Sequence, residues 1–490
     1  MEAEQGKSRI GYDTLKLTAS KVITMVIAMV SGMLLSRFRS LTEYGTYSQL
    51  LMAINLVCSL IMLGLPNSIN FFLAKAQTQE ERDKFLSVYY TLNTILSLIV
   101  GLVLVISTPL LEKVFKNQTI KCFWYFLAFF PWTKIIMSSI ENLLIVCEKT
   151  NVLMVYRVIN SVALLGIILF VQFVGGTFST YMMLYLATEV IFTLWTYWQM
   201  LECTSNFKIG FNKSMIKTIF TYSIPIGVAS MIGTINVELD KLVITSFFST
   251  EKLAIYTNAS KELPVTIVAT SITAVLLPQM VRLLHKNKKA EAVKLWNSAT
   301  TISFAIICLV AIGCFVFAPD VITILYSEKY LEGVAVFRVY CLTLLLRCTY
   351  FGMMLNATGI TKAVLKSSIG ALLLNTVLNY ICYFVFGFIG PAMATFLATF
   401  SMALYQLCYS CKKIGIKFID IFPWKNCFTL LMLNIVLGAG FYFTKNYMVS
   451  RLNISSVLVA VLLGSCWMVV FFAITFKNLK SQWIVLNEKR

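Results

Sequence analysis

The chain has 490 residues, of which 58% are hydrophobic and 13% are charged, and its mean hydropathy is +0.80. A soluble domain has about 45–50% apolar and about 25% charged residues, so this composition excludes soluble enzymes, nucleic-acid-binding proteins and secreted disulfide scaffolds. The net charge of +19 comes mostly from Lys and Arg in short connections between apolar segments, where such residues set membrane topology. The composition therefore indicates an integral membrane protein that binds no nucleic acid.

Apolar segments of about 20 residues recur along the chain and predict about fourteen membrane-spanning α-helices. Lipid offers no hydrogen-bond partner to an open strand edge, so the fold class is expected to be all-α. The predicted spans are approximately 16–36, 45–66, 85–107, 120–144, 152–174, 177–200, 216–240, 253–280, 296–318, 334–357, 363–386, 389–411, 427–447 and 455–476.

Basic residues predict the orientation of the helices, since Lys and Arg concentrate in cytoplasmic connections. Their distribution places both termini in the cytoplasm of a multi-pass plasma-membrane protein. The 13 cysteines lie mostly inside apolar segments and are interpreted as small hydrophobic residues. His285, the single histidine, lies in a basic connection, so neither a metal site nor a cofactor is expected.

Short sequence matches indicate an internal duplication. Residues 186–188 (Leu-Ala-Thr) recur at 397–399, and Thr150 corresponds to Thr361, in both cases about 211 residues later. Leu-Pro pairs at 65–66 and 277–278 are each expected to end a helix. The matches predict two parallel-repeat six-helix bundles, over 1–205 and 206–415, followed by two further helices and a cytoplasmic tail over 416–490. Two similar bundles that alternately open a central cavity are typical of transporters.

Ionisable side chains within the predicted spans are candidate functional residues, because a charge at the bilayer centre costs several kcal/mol unless it is paired or hydrated. Lys134 and Arg347 lie midway along the predicted fourth and tenth spans and are expected to bind an anionic headgroup. Glu189, midway along the sixth span, and Glu141, about two turns after Lys134, are expected either to couple transport to an ion or to neutralise one of these cations as a buried partner.

Charged residues nearer the membrane surfaces form a second set of candidates. Lys21 and Arg157 either line the cavity or extend their charged groups to the cytoplasmic surface. Asp240 and Lys241, at the outer end of the seventh span, and Lys261 on the eighth are predicted to line the opening between the bundles. The alternative for this second group is an interfacial cluster of salt bridges.

Four motifs carry a family resemblance: Arg37 to Tyr47 (Arg-x-Arg-x-Leu-x-x-Tyr-Gly-x-Tyr); Asp240-Lys241-Leu242 with Phe247-Phe248-Ser249 and Ala254-Ile255-Tyr256; Leu276-Leu277-Pro278; and Asn356 to Gly359 with Asn375, Asn379, Gly387 and Gly390 to Thr395. Together with the helix count, they resemble the Wzx-type flippases of bacterial polysaccharide synthesis. These proteins belong to the multidrug/oligosaccharidyl-lipid/polysaccharide exporter superfamily.

The resemblance implies a V-shaped pair of six-helix bundles around a basic central cavity. It implies that the substrate is an undecaprenyl-diphosphate-linked oligosaccharide, turned from the inner to the outer leaflet of the bacterial plasma membrane for O-antigen, capsule or exopolysaccharide synthesis. It further implies contact with membrane lipids and with a polysaccharide polymerase and chain-length machinery as partners. The protein is not expected to be an enzyme, since a polymerase or glycosyltransferase needs a sizeable external loop.

Two transport alternatives remain open from the sequence. A multidrug or cation antiporter of the same superfamily shares the duplication, but such proteins typically have twelve helices and use membrane-embedded acids to bind cations. A flippase for peptidoglycan or spore-cortex precursors differs from the first interpretation only in its lipid-linked substrate.

Overall fold

The computed structural model describes the backbone of residues 2–452 and 454–487, and the side chains of 16–451 and 454–486. All regular secondary structure within these residues is helical, which confirms the predicted all-α class. The last three residues of the predicted cytoplasmic tail, 488–490, lie outside the described residues. The chain divides into two compact units, 1–254 and 255–490. The predicted domain boundaries at 205 and 415 remain predictions.

The first unit is built from ten α-helices and the start of an eleventh. The helices are α1 Glu2–Phe38, α2 Leu41–Met62, α3 Leu65–Lys75, α4 Gln79–Ile106, α5 Thr108–Phe115, α6 Trp124–Met137, α7 Ile140–Val146, α8 Thr150–Phe173, α9 Phe178–Glu202, α10 Lys213–Phe247 and α11 Thr250–Ala259. A short 3-10 segment, Gln118–Phe123, precedes α6. Buried Leu65, Phe85, Tyr90 and Leu143 belong to the core of this unit.

The second unit contains the remaining helices. They are α12 Ile267–His285, α13 Lys289–Val316, α14 Ala318–Leu325, α15 Val334–Leu345, α16 Met353–Ala357, α17 Thr361–Phe386, α18 Gly390–Ile414, α19 Phe418–Ile421, α20 Trp424–Leu452 and α21 Ser456–Asn487. A 3-10 segment, Glu328–Gly333, precedes α15. Buried Trp296 on α13 and Trp467 and Phe471 on α21 belong to one core.

Three consecutive elements of the first half recur with the same lengths in the second half. Helices α4 and α13 each have 28 residues, α5 and α14 each have 8, and the two 3-10 segments each have 6. Each later element begins about 210 residues after its counterpart, the offset that the sequence matches predict. The recurrence of these elements agrees with the predicted duplication.

Eleven helical segments within the described residues are long and apolar enough to cross a membrane. One of them, 361–414, contains both α17 and α18, whereas the predicted sixth and tenth spans do not meet the same criterion. The predicted total of about fourteen therefore stays a prediction. Large apolar side chains such as Phe173 and Phe384 are exposed on the outer faces, as expected of helices that contact lipid.

Neither Leu-Pro pair ends a helix, contrary to prediction. Leu65 begins α3, where Pro66 occupies the first turn, because that position needs no backbone N–H donor. The preceding turn at Leu63 and Gly64 has left-handed backbone angles and separates α2 from α3. Pro278 lies inside α12, which continues to His285.

Two predicted continuous spans are interrupted. The predicted helix over 120–144 breaks after Met137, where the Ser138 and Ser139 hydroxyls donate to the carbonyls of Ile135 and Ile136 at 2.6 Å. Such side-chain bonds compete with the helical backbone pattern.

The predicted helix over 334–357 ends at Leu345 and resumes at Met353. Between these helices, Thr349 accepts a hydrogen bond from the indole N–H of Trp296 at 3.0 Å and lies 3.1 Å from the Thr300 hydroxyl. These bonds to α13 hold the segment outside a regular helix.

Candidate functional site

A polar cavity of about 380 Å³ lies within the first unit, bordered by α2, α3, α6 and α10. Ligand pockets commonly have volumes of about 300–1,000 Å³, so this cavity is large enough for a small polar group. Its polar lining residues come from all four helices: Asn55, Ser59, Asn67, Lys134, Ser230 and Thr234. A polar cavity among helices of this hydropathy is the strongest candidate for a functional site in the described residues of this unit.

Lys134 reaches the cavity from the last turn of α6. The helix contains Pro131 one turn earlier and ends three residues later at the break formed by Ser138 and Ser139. The Ser139 hydroxyl also lies 2.9 Å from the Tyr90 hydroxyl on α4, which fixes the position of the break. The interruption of α6 thus places a cation in the cavity at the middle of an otherwise apolar segment.

A hydrogen-bond network connects Lys134 with two charged residues of α10. The Lys134 ammonium donates to the Asn55 side-chain carbonyl, and the Asn55 amide donates to one oxygen of Glu238 at 2.9 Å. The Lys241 ammonium donates to the other Glu238 oxygen, also at 2.9 Å. The Glu238 side chain is only 5% exposed. One buried carboxylate therefore interacts with two lysines, with Lys241 directly and with Lys134 through the Asn55 amide. The three charged groups together carry a net positive charge.

Close backbone contact holds α10 against the turn between α2 and α3. A Cβ atom on Gly227 of α10 would lie 2.0 Å from the backbone carbon of Leu63, and one on Gly64 would lie 2.7 Å from the Gly227 nitrogen. Both glycines also line the cavity. The turn and α10 therefore meet at a distance that only glycine allows, at one border of the cavity.

Three of the other predicted residues form a separate cluster of charges. Arg157 on α8 pairs with Glu141 on α7, and Lys21 on α1 lies 3.7 Å from the same carboxylate. The Lys21 side chain is 68% exposed, whereas the Arg157 side chain is 15% exposed. None of these residues lines the cavity that contains Lys134. Glu141 pairs with Arg157 and Lys21, and not with Lys134 as one of the sequence alternatives predicts.

Arg347 does not lie in the middle of a helix, contrary to prediction. Helix α15 ends two residues before it, because the following segment is bonded to α13 through Thr349. Arg347 pairs with Glu262 in the second unit. Lys261, next to Glu262 in sequence, has an exposed side chain. The partner of Arg347 is therefore a residue that the sequence interpretation did not assign to it.

Glu189 and Asp240 are both buried in the first unit, with 7% and 2% of their surfaces exposed. The amide of Asn160 on α8 lies 3.5 Å from a Glu189 carboxylate oxygen. Asp240 takes part in interactions of its own, and neither residue lines the cavity of Lys134. Of the predicted residues, the structure thus brings Lys134 and Lys241 into one network.

Two residues of the network were not selected from the sequence. Asn55 is an amide inside the second apolar span, and Glu238 belongs to the charged segment 238–242 whose Asp240 and Lys241 were selected. An amide in the middle of an apolar helix is a signal that could have identified Asn55, because buried polar groups need partners. The pairing of Asn55 with Glu238 required the packing of α2 against α10.

Two known proteins whose names refer to polysaccharide or glycan biosynthesis are similar to this chain in sequence. Over 215 residues it is 25% identical to the capsular polysaccharide biosynthesis protein CapF of Staphylococcus aureus, covering 43% of this chain and 54% of CapF. Over 226 residues it is 21% identical to the probable low-salt glycan biosynthesis flippase Agl15 of Haloferax volcanii, covering 45% of this chain and 48% of Agl15. The matches span about half the length of these two relatives.

The fold is similar to that of the lipid II flippase MurJ in its inward closed conformation. The TM-score is 0.75 at 16% sequence identity, with 94% of this chain and 99% of the MurJ chain covered. At this identity the similarity establishes the fold alone. Residues 34–335, more than half of the chain, match the family described as polysaccharide biosynthesis protein. The chain therefore belongs to the polysaccharide biosynthesis protein family.

Proposed function

We propose that the protein flips an undecaprenyl-diphosphate-linked oligosaccharide from the inner to the outer leaflet of a bacterial plasma membrane, for the synthesis of a surface polysaccharide. The observation that carries this proposal is the position of Lys134, a cation in a polar cavity inside an apolar helical unit. Family membership and the similarity to a capsular polysaccharide biosynthesis protein and a probable glycan flippase support the same class of function.

The headgroup of such a substrate needs a polar path. Its phosphates and sugars cannot cross hydrocarbon unaided, because each polar group would lose its hydrogen bonds to water. Lysine binds phosphate as a point charge with three donors. In the proposed mechanism, Lys134 and Lys241 replace the water around the diphosphate while the polyprenyl chain stays in lipid.

In the present conformation, Glu238 compensates the charge of these lysines. Its carboxylate accepts from Lys241 directly and from Lys134 through Asn55. A diphosphate carries more negative charge than one carboxylate, so it competes for both ammonium groups when it enters. Glu238 thus acts as an internal anion that the substrate displaces, which keeps the lysines compensated when the site holds no substrate.

Replacement of Lys134 tests the proposal. In a strain that lacks the native gene, Lys134→Ala should abolish most surface polysaccharide and cause lipid-linked oligosaccharide to accumulate in the inner leaflet, because the diphosphate loses a donor. Lys134→Arg keeps the charge and should restore part of the export. The matched control is Lys113→Ala on α5, where the lysine is exposed and outside the cavity.

The abundance of each variant in the membrane must be measured alongside polysaccharide. Normal polymer in Lys134→Ala would remove this lysine from the site. Two results together would instead assign the chain to cation antiport. Vesicles that contain the protein would export a cationic dye, and cells that lack the protein would assemble surface glycan normally. Rescue of a strain deficient in peptidoglycan-precursor export, without effect on surface polysaccharide, would assign a different lipid-linked substrate.

A further inference from the structure

Helix α9 carries a row of polar and aromatic side chains at four-residue spacing: Tyr181, Tyr185, Glu189 and Thr193. Residues four apart lie on one face of a helix, so the row faces a single side of the bundle. Tyr181, Glu189 and Thr193 are buried, and Glu189 lies at the middle of the helix. A carboxyl group thus lies in the interior of the unit, away from the cavity of Lys134.

The surroundings of Glu189 are polar but contain no compensating cation. The Asn160 amide lies 3.5 Å from its carboxylate, and within the described part of the chain no Lys or Arg forms an ion pair with it. The titratable groups close enough to interact electrostatically with its carboxyl are three tyrosines: Tyr47 of α2, Tyr156 of α8 and Tyr185 of α9 itself.

Helix α6 contributes only aromatic rings on this side. Phe126 and Phe130 lie with their ring centroids 5.9 and 5.4 Å from that of Tyr185. An ionised carboxylate enclosed by hydroxyls, rings and one amide has lost most of its hydration without gaining an opposite charge, which costs several kcal/mol. The neutral carboxylic acid avoids this cost and can still donate a hydrogen bond.

A row of tyrosines connects this pocket with the end of the bundle where α1 joins α2. Ring centroids are 5.9 Å apart for Tyr44 and Tyr47, 6.3 Å for Tyr47 and Tyr185, and 5.9 Å for Tyr181 and Tyr185. The Tyr47 hydroxyl is close enough to those of Tyr185 and Tyr181 for side-chain hydrogen bonds. Because a phenol can both donate and accept a hydrogen bond, such a row can pass a proton along. Tyr44 lies four residues after Ser40, the residue that caps α2 at that end.

We propose that Glu189 is a proton-binding site, reached from the α1–α2 end along Tyr44, Tyr47 and Tyr185, and that it binds and releases one proton in each transport cycle. The carboxylate takes up a proton to form the neutral acid and returns it as the carboxylate when the pocket opens. The link to a transport cycle rests on the proposed function, whereas proton binding itself does not.

Infrared difference spectroscopy of the purified full-length protein in lipid tests proton binding directly. A pH titration should show a carboxylic-acid C=O band in the wild type that is lost in Glu189→Gln. The matched control is Glu202→Gln, at the end of the same helix, where the carboxylate is 39% exposed and pairs with Lys149 at 2.7 Å. That variant should keep the band. A band unchanged in Glu189→Gln would overturn the proposal.

Two further measurements make the result specific. Should Glu189→Gln fail to fold, Glu189→Asp keeps a carboxyl in a shifted position, so the band should move in frequency, and an unmoved band would overturn the assignment. Loss of the wild-type band on addition of sodium chloride at constant pH would show that the pocket binds a metal cation instead of a proton.

The link to transport is tested separately in cells. Glu189→Gln should reduce surface polysaccharide at least tenfold at unchanged protein abundance. Normal polysaccharide together with a lost infrared band would overturn the link to transport and leave flipping intact. If Glu189→Gln removes the infrared band but Lys134→Ala leaves surface polysaccharide unchanged, the proposed function is overturned and the proton site remains.

Discussion

The Glu238 carboxylate explains how two lysines coexist inside the first unit. Its two oxygens accept from Asn55 and Lys241, and its side chain is 5% exposed. Burying a charge without a partner costs several kcal/mol, whereas a paired and hydrogen-bonded charge is tolerated. At the scale of the residue, the network compensates the buried cations, which under the proposed function would bind an anionic headgroup.

Replacement of Glu238 by Gln should therefore destabilise the protein by about 3–5 kcal/mol, because it leaves the Lys241 ammonium without its anion in a largely buried position. The measurement is thermal or denaturant unfolding of the purified protein in detergent. Glu291→Gln is the matched control, since Glu291 forms the same i,i+3 pair with Lys288 on a surface where both side chains are at least 40% exposed. Its loss should cost less than about 1 kcal/mol. Equal effects of the two variants would contradict the stabilising role of the buried network.

The sequence could predict only those site residues whose own charge is energetically costly to place in an apolar span. Lys134 and Lys241 stood out because a charge in or beside an apolar span needs a reason. The partners did not, since the pairing of Asn55 with Glu238 joins residues far apart in the chain. Arg347 was misplaced because hydropathy continues across the break after Leu345, whereas the break depends on a bond between Thr349 and α13.

At the scale of the element, the breaks between helices shape the cavity of Lys134 more than the lengths of the helices do. The all-α class and the repeat follow from apolar length and from matches about 210 residues apart. The breaks between α2 and α3 and between α6 and α7 do not, because local composition stays apolar on both sides of each. These breaks border the cavity: Gly64 lies in the first, and Lys134 precedes the second.

The contact of α10 with the first break depends on Gly227. A Cβ atom there would overlap the Leu63 backbone, which cannot move aside as a flexible side chain can. Gly227→Ala should therefore push α10 away from the turn, lower the unfolding temperature and weaken the network of Glu238. The distance change can be followed by spin labels placed on α2 and α10.

Gly233→Ala on the same helix serves as the control. No atom lies within 4 Å of a Cβ at that position, so the substitution should stabilise α10 slightly, by about 0.5–1 kcal/mol, as alanine replaces glycine in a helix. A Gly227→Ala variant that behaves like Gly233→Ala would show that α10 is free to separate from the turn at no cost.

At the scale of the whole molecule, a buried charge cluster holds the last two long helices, α20 and α21, against α14 within the second unit. Asp320 at the start of α14 pairs with Lys445 of α20 and accepts from the Ser456 hydroxyl of α21 at 2.6 Å. Trp467 and Phe471 of α21 are buried in the core that contains Trp296 of α13. The two helices that the sequence predicts to lie outside the repeat are thus packed into the core of the second unit.

The diphosphate headgroup of the proposed substrate would make transport by the whole molecule sensitive to voltage. Moving one charge across 100 mV changes the free energy by about 2.3 kcal/mol, so exporting about two negative charges from a negative interior releases about 4.6 kcal/mol. At about 1.4 kcal/mol per factor of ten, this bias shifts the equilibrium between leaflets by more than about a thousandfold.

Vesicles that contain the purified protein and a lipid-diphosphate-linked oligosaccharide should therefore accumulate it in the outer leaflet when the interior is made negative with a potassium gradient and valinomycin. Equal pH on the two sides removes any contribution from a proton gradient, and Lys134→Ala vesicles provide the control for leakage. The outer-leaflet share should fall when the potential is abolished with matched potassium. Identical leaflet distributions with and without the potential would mean that the charge of the headgroup is balanced by ions that cross with it, because only a net transfer of charge responds to voltage.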